Sequence, residues 1–165
     1  MKKTILLLAM FFAVFFAQAQ PIKGTYAIKN VETGLLLRIK DANKANGTPL
    51  VLYTQMEWKC MTWDFRQVEG ETYQLKNLFT GKTFQPADSL ASGVGLEEQP
   101  LLANADAQQY EFIPVEKSVY FIRLKNTGLY LTPSEKSNVN SAVVLAEKTG
   151  AKNQYWTLYE QHPQF

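Results

Sequence analysis

The stretch Tyr26-Ala-Ile-Lys-Asn-Val-Glu-Thr-Gly34 decides the fold, because the chain contains two further versions of it. They are Tyr73-Gln-Leu-Lys-Asn-Leu-Phe-Thr-Gly81 and Tyr120-Phe-Ile-Arg-Leu-Lys-Asn-Thr-Gly128, so the three tyrosines stand 47 residues apart. Apolar and polar residues alternate in each version, as in a half-buried strand, and a Thr-Gly turn follows. A second landmark recurs nearly in register at Trp63, Tyr110 and Trp156. Together the two landmarks indicate a threefold internal repeat.

Each repeat predicts four short strands separated by polar turns. The predicted strands cover 25–30, 35–39, 50–53 and 62–68 in the first repeat, 73–77, 83–86, 95–98 and 110–115 in the second, and 120–124, 130–132, 143–146 and 155–159 in the third. No part of the sequence shows a sustained helical period, so we expect an all-β fold. A propeller also has four strands per repeat but needs at least about four blades to close. Three repeats instead favour a β-trefoil, which is a barrel capped by three hairpins.

The first 19 residues are predicted to be a signal peptide. Lys2 and Lys3 precede an apolar run over 4–16, and Ala17-Gln-Ala19 matches a cleavage pattern. The apolar run is shorter than the roughly 20 residues of a membrane-spanning helix, although a retained anchor is the alternative. We expect export to a periplasm or out of the cell after cleavage near Ala19, with no membrane span. Residues 20–165 are expected to form one domain of three repeats, 24–70, 71–117 and 118–162.

Charge and rare residues argue against several classes of function. The chain has 17 Lys and Arg against 15 Asp and Glu, and the excess equals Lys2 and Lys3. Nucleic-acid binding needs a basic surface, so we expect no nucleic-acid partner. Cys60 is the only cysteine in the sequence and is expected to be buried, and His162 is the only histidine. Because no catalytic triad or metal cluster can be assembled from them, we expect no enzyme activity, cofactor or metal.

The repeats resemble those of ricin-B-type β-trefoil lectins, and the resemblance covers nearly all of the chain after residue 19. The family carries a Gln-x-Trp motif near the end of each repeat. It appears in full as Asn153-Gln-Tyr-Trp156, is softened to Gln108-Gln-Tyr110 in the second repeat and is reduced to Met61-Thr-Trp63 in the first. The first repeat also contains Asn46-Gly-Thr-Pro-Leu-Val-Leu-Tyr53, which is similar to the family's hairpin. The resemblance implies a β-trefoil fold and structural roles for Trp63, Tyr110, Gln154 and Trp156.

The resemblance also implies where a sugar would bind. A family pocket combines an Asp after the second strand, an aromatic residue on the third strand and an Asn before Gln-x-Trp. The Asp position holds Arg38, Gln85 and Thr132, the aromatic position Tyr53, Gln99 and Ala146, and the Asn position Cys60, Ala107 and Asn153. No repeat therefore has all three parts.

Five residues nevertheless remain as predicted carbohydrate-binding residues: Asp41, Asn46, Tyr53, Trp58 and Asn153. An exposed Tyr53 and Trp58 would offer a sugar ring an aromatic platform, with Asp41 and Asn46 beside it. The alternative for Trp58 is a lid over the end of the barrel.

We therefore expect a carbohydrate-binding module without catalytic activity, whose partner is a glycan or glycoconjugate. The alternative is a β-trefoil that binds another secreted protein, as a protease inhibitor or adhesion partner does, through one exposed loop. The loops 55–60 and 88–99 distinguish the two. A cleft with an aromatic residue flanked by carboxylates favours a sugar, whereas a convex, protruding loop favours a protein.

Overall fold

A computed structural model describes residues 20–134 and 137–164, and these residues form twelve strands. The strands are β1 (Thr25–Asn30), β2 (Leu36–Ile39), β3 (Leu50–Tyr53), β4 (Trp63–Glu69), β5 (Thr72–Asn77), β6 (Thr83–Pro86), β7 (Val94–Gln99), β8 (Tyr110–Glu116), β9 (Val119–Leu124), β10 (Leu129–Pro133), β11 (Val143–Glu147) and β12 (Trp156–Glu160). All twelve predicted strands are present, each within one residue of its predicted ends. The predicted signal peptide lies outside the described residues.

Six strands close into a barrel. Antiparallel pairing runs from β1 to β4, β5, β8, β9 and β12, and β12 returns to β1. The first and last strands of each repeat supply this ring, because they carry the two sequence landmarks that recur in register. Closure leaves no free edge in the barrel. The threefold repeat therefore becomes the threefold symmetry of a β-trefoil, as the sequence predicts.

The two middle strands of each repeat form a hairpin, and the three hairpins cap one end of the barrel. They are β2–β3, β6–β7 and β10–β11. The hairpins also touch one another, through pairing of β7 with β11 and through single bridges from Pro49 to Glu97 and from Val51 to Ala142. A helical turn of three residues precedes the closing strand of each repeat, at Lys59–Met61, Asp106–Gln108 and Lys152–Gln154.

The closing aromatic residues fill the core and make the same hydrogen bond in each repeat. Trp63, Tyr110 and Trp156 are fully buried. Each ring N–H or hydroxyl donates to a main-chain carbonyl of its own hairpin: Trp63 to Leu37 at 3.4 Å, Tyr110 to Phe84 at 3.2 Å and Trp156 to Leu131 at 3.0 Å. A buried aromatic side chain with a polar atom needs such a partner. These bonds tie each hairpin cap to the barrel.

One hairpin position breaks the symmetry of the core. Glu98 on β7 pairs with Phe84, as Leu52 pairs with Leu37 and Leu145 with Leu131. Glu98 is as fully buried as the two leucines. Burial raises the pKa of its carboxyl, and the Thr80 hydroxyl and the Lys82 ammonium group offset part of that rise.

The described residues contain no helix that could cross a membrane.

Candidate functional site

Strand pairing fixes the three places where the resemblance implies a sugar pocket. Tyr53, Gln99 and Ala146 pair with Leu36, Thr83 and Tyr130, which recur at the repeat spacing. Arg38, Gln85 and Thr132 stand two residues further along β2, β6 and β10. The aromatic and acidic positions are thus structurally equivalent in all three repeats, although different side chains occupy them.

The first repeat has an open cleft of about 220 Å³ at this place, and we call it the first-repeat cleft. Its lining residues are Arg38, Ala42, Trp58, Cys60 and Phe79. Trp58 and Phe79 are half-buried, so their rings are available at the surface as apolar contacts. Phe79 lies in the turn after β5 of the second repeat, so the cleft is formed by two repeats.

Arg38 lies against the aromatic residues of this cleft. Its guanidinium carbon is 4.1 Å from the centre of the Tyr53 ring and 5.6 Å from that of Trp58. The two rings are themselves 6.0 Å apart and inclined at 31°. Such stacking is favourable by about 0.5–2 kcal/mol for each cation–π contact. The predicted platform is therefore partly covered by a cation of the protein itself.

The floor of the first-repeat cleft is apolar. Ala27, Leu36, Cys60 and Met61 form a small buried cluster, against which Trp58 packs. Burial raises the pKa of the Cys60 thiol, and Arg38 offsets part of that rise. The thiol is therefore neutral at ordinary pH, so that Arg38 contributes the charge at the base of the cleft.

Gln161 holds the first-repeat loop in place from the other end of the chain. Its amide nitrogen donates to the Met56 carbonyl at 2.7 Å, and its amide oxygen accepts from the Thr62 hydroxyl at 2.6 Å. The Thr62 hydroxyl is also 3.0 Å from the Trp58 carbonyl. Gln161 is buried, although it follows the last strand. The loop that carries Trp58 is thus held by a residue outside its own repeat.

The equivalent place in the second repeat is filled by a polar network. The Gln108 amide group donates to Gln85 and to the Pro100 carbonyl, both at 2.9 Å, and accepts from the Leu102 N–H at 2.8 Å. Gln99 donates to Glu97 at 2.7 Å. No aromatic side chain stands at the stacking position, so this repeat lacks an apolar surface for a sugar ring.

The third repeat fills the same place with aromatic residues. The Phe121 ring packs edge-on against Tyr130 at 5.6 Å and Tyr155 at 5.1 Å. The Lys148 ammonium nitrogen lies 4.4 Å from the centre of the Phe121 ring and covers it. Phe121 and Tyr130 are buried and Tyr155 is half-buried, so the centre of this cluster is closed where the first repeat is open.

The structure distributes the five predicted site residues over three places. Tyr53 and Trp58 lie together at the first-repeat cleft. Asp41 and Asn46 line a different hollow, of about 380 Å³, between β2 and β3. Asn153 lies where the first and third repeats meet, and its main-chain carbonyl accepts from the Asn30 side chain at 2.7 Å.

Two lining residues were not among the predicted binding residues. In the sequence, Arg38 stands out only as a departure from the family's Asp, and Phe79 falls beside a Thr-Gly turn. A signal for Phe79 exists in the sequence, because the corresponding turn positions hold Glu32 and Asn126. A large aromatic residue at a position that is polar in the other repeats indicates a local role beyond the fold.

The closed six-stranded barrel and its three hairpin caps define a protein of the β-trefoil class. A family model described as "Ricin-type beta-trefoil lectin domain-like" matches residues 14–98 and 59–146. The chain belongs to this family. No curated protein sequence matches the chain.

Solved structures of β-trefoil proteins are similar to the chain. They include ThreeFoil, a designed threefold symmetric protein, with a TM-score of 0.78 and 18% identity over 82% of this chain and 98% of that one. The ricin B-like lectin of Macrolepiota procera in complex with lactose has a TM-score of 0.70 and 18% identity, over 86% of this chain and 99% of that one.

The exo-beta-1,3-galactanase 1,3Gal43A from Clostridium thermocellum is also similar, with a TM-score of 0.77 and 19% identity. The match covers 84% of this chain but 30% of the galactanase chain. At these identities the likeness concerns the fold.

Proposed function

We propose that the protein binds carbohydrate in the first-repeat cleft and catalyses no reaction on it. The observation that carries the proposal is the open, aromatic-walled cleft between Trp58 and Phe79 at the place where family members hold a sugar. Sugars offer apolar C–H faces to aromatic rings and hydroxyl groups to polar side chains. Family membership and the lactose complex of the Macrolepiota lectin support this class of ligand.

We place the binding in the first repeat alone. The second repeat offers amide groups that are already bonded to each other, and in the third Lys148 covers a closed aromatic cluster. Neither leaves a free ring face at the equivalent position. Trp58 and Phe79 are the residues proposed to contact the sugar, and Tyr53 is proposed to support Arg38.

We also propose that the protein acts outside the cytoplasm, in a periplasm or in the medium, after removal of residues 1–19. The remaining chain, 20–165, would form one domain of repeats 24–70, 71–117 and 118–162. The support is the charged start, short apolar run and Ala17-Gln-Ala19 pattern of the sequence. N-terminal sequencing of the purified protein from a native host tests this, with Gln20 as the expected first residue.

A glycan array probed with the purified protein tests carbohydrate binding. We expect reproducible binding that free sugar abolishes and that Trp58→Ala weakens at least about fivefold, because a stacked aromatic ring contributes about 1 kcal/mol or more. Tyr155→Ala is the matched control, since it removes an aromatic residue of the third-repeat cluster. A blank array would contradict the proposal, and so would equal losses in the two variants.

A further inference from the structure

Arg38 reverses the charge that the resemblance leads one to expect in the cleft. It stands on β2 at the position of the family's Asp, and only 7% of its surface is exposed. An Asp would accept hydrogen bonds from sugar hydroxyls, whereas a guanidinium group can only donate. A ligand that binds to Arg38 must therefore supply hydrogen-bond acceptors.

The charge of Arg38 has no partner in the described part of the chain. No Asp or Glu oxygen of residues 20–134 or 137–164 lies within 4.0 Å of its guanidinium nitrogens. Its Nε is buried and donates to no described residue. Stacking on Tyr53 engages the face of the guanidinium group, and the hydrogen bond that Arg38 shares with the Cys60 thiol leaves its Nε–H without an acceptor.

In the other two repeats, the side chain at the position of Arg38 has a hydrogen-bond partner within the protein. Gln85 accepts from Gln108, and Thr132 accepts from Gln154, both at 2.9 Å. In the first repeat Met61 replaces the glutamine and offers no amide oxygen. The unsatisfied donor therefore belongs to the first-repeat cleft specifically, rather than to the fold.

We propose that the glycan bound in this cleft carries a carboxylate, as a uronic acid or a sialic acid does, and that Arg38 binds it. This inference rests on the proposed carbohydrate binding. A guanidinium group matches a carboxylate with two parallel hydrogen bonds, which are stronger than bonds between neutral groups. Trp58 and Phe79 would hold the apolar face of the same or the adjoining sugar.

The charges around the cleft are compatible with an acidic ligand. The Lys44 ammonium nitrogen lies 4.4 Å from the centre of the Phe79 ring, which lines the cleft. Asp41 and Glu57 are the nearby acidic residues in sequence, and both are exposed on turns. Water and salt screen exposed charges far more than a buried one. The charge of Arg38 is therefore less screened than the exposed charges around the cleft.

Matched pairs of oligosaccharides test the inference by calorimetry on the full protein. The pairs are trigalacturonate, a hyaluronan tetrasaccharide and sialyllactose, each beside its carboxyl-reduced form, in which the acid has become an alcohol. We expect the acid of at least one pair to bind about ten to a hundred times more tightly than its reduced form, because a charged hydrogen bond contributes about 1.5–3 kcal/mol.

Substitutions of Arg38 test whether this residue causes the tighter binding of the acid than of its reduced form. Arg38→Gln should remove it, and Arg38→Lys should keep part of it, because lysine retains the charge but loses the planar fork. Arg66→Gln is the matched control, since Arg66 is an exposed arginine paired with Asp64 at 3.2 Å. Urea unfolding of each variant shows whether it is folded, and the wild-type pairs test the carboxylate without any substitution.

The outcomes separate the two proposals. Equal binding of the acid and reduced forms would overturn the inference and leave carbohydrate binding intact. Binding to sulfated but not carboxylated glycans, or a preference that survives in Arg38→Gln, would also overturn it. Failure of every acidic and neutral glycan to bind would contradict the proposed function itself.

Discussion

The first-repeat cleft and the third-repeat cluster occupy the same place in the repeat, and each has a cation against aromatic rings. In the third repeat the Gln154 amide donates a hydrogen bond to the Thr132 hydroxyl, and Lys148 covers the Phe121 ring. The polar groups at this place therefore have partners within the protein. In the first repeat Met61 replaces that glutamine, and the buried Nε–H of Arg38 is left without a hydrogen-bond acceptor beside an open cleft. Equivalent backbone positions thus hold a stable cluster in one repeat and a candidate binding site in another.

The comparison indicates that the fold and the site are under different constraints. The three closing aromatic residues make the same bond to their hairpins, because each buries a polar ring atom that needs a partner. The pocket positions lie outside that core and have diverged. Stability therefore resides in what the repeats share, and we expect function to reside where one repeat departs from the others.

The largest effect is expected when the third repeat is given the first repeat's residue. Gln154→Met should lower the free energy of unfolding by about 3 kcal/mol, because it leaves the Thr149 N–H and the Glu147 carbonyl without their buried partner. Urea unfolding measures the change. Met61→Leu is the control and should cost less than about 1.5 kcal/mol, as an apolar substitution of similar volume. An equal loss in the free energy of unfolding from the two substitutions would contradict the hydrogen-bonding role described for Gln154.

A smaller loss is expected from Gln161→Ala, which should lower the free energy of unfolding by about 2 kcal/mol. The substitution frees the Met56 carbonyl and the Thr62 hydroxyl, and so loosens the loop that carries Trp58. Hydrogen exchange should become faster at Met61 and Thr62, whose N–H groups donate within that loop. Gln164→Ala, an exposed change in the same tail, should alter neither quantity. Unchanged exchange in Gln161→Ala would show that the tail does not hold the loop.

The second repeat extends the comparison through Glu98, which stands where the others have Leu52 and Leu145. Glu98→Leu should raise the free energy of unfolding by about 1 kcal/mol at pH 7, because a poorly paired buried carboxylate is removed. The pKa of Glu98 is raised by burial, so the native state prefers the protonated acid.

The free energy of unfolding is therefore highest below the pKa that Glu98 has in the unfolded chain. It declines as the pH rises through the pKa that Glu98 has in the folded protein. Thermal unfolding at pH 4 and pH 7 should show a larger benefit of Glu98→Leu at pH 7. Glu97→Gln, at the neighbouring half-buried position, is the control. A benefit that is greater at pH 4 would contradict the burial of an acid at this site.

The smallest effect is expected at the cover of the third-repeat cluster. Lys148→Ala should lower the free energy of unfolding by about 0.5 kcal/mol, through loss of its contact with Phe121. Glycan binding should not change, because Phe121 and Tyr130 remain packed together. Calorimetry with any glycan that binds the wild type checks this. Weakened binding would place a working site in the third repeat.

The sequence was sufficient to predict the fold because the fold depends on repeated residues. The spacing of Tyr26, Tyr73 and Tyr120 predicted the strands and the threefold symmetry, and both are confirmed. The site depends on single departures from the repeat, whose surroundings come from elsewhere in the chain. Phe79 reaches the first-repeat cleft from the second repeat, and Gln161 reaches its loop from the end of the chain. Long-range contacts of this kind have no period from which they could be predicted.

The location of Asp41 and Asn46 also could not be predicted from the sequence. Their nearness in sequence to Tyr53 suggested one site, but the hairpin directs them to a separate hollow. Their part in sugar binding stays a prediction, as does that of Asn153.

An NMR titration of the three tryptophan indole N–H groups tests the location of the site most directly. Trp63 and Trp156 are fully buried and donate to Leu37 and Leu131, whereas Trp58 is half-buried at the cleft. With the tightest-binding glycan of the array, the Trp58 indole signal should shift with saturation and the other two should stay nearly fixed. A saturating shift at Trp156 with Trp58 unmoved would contradict a site in the first repeat.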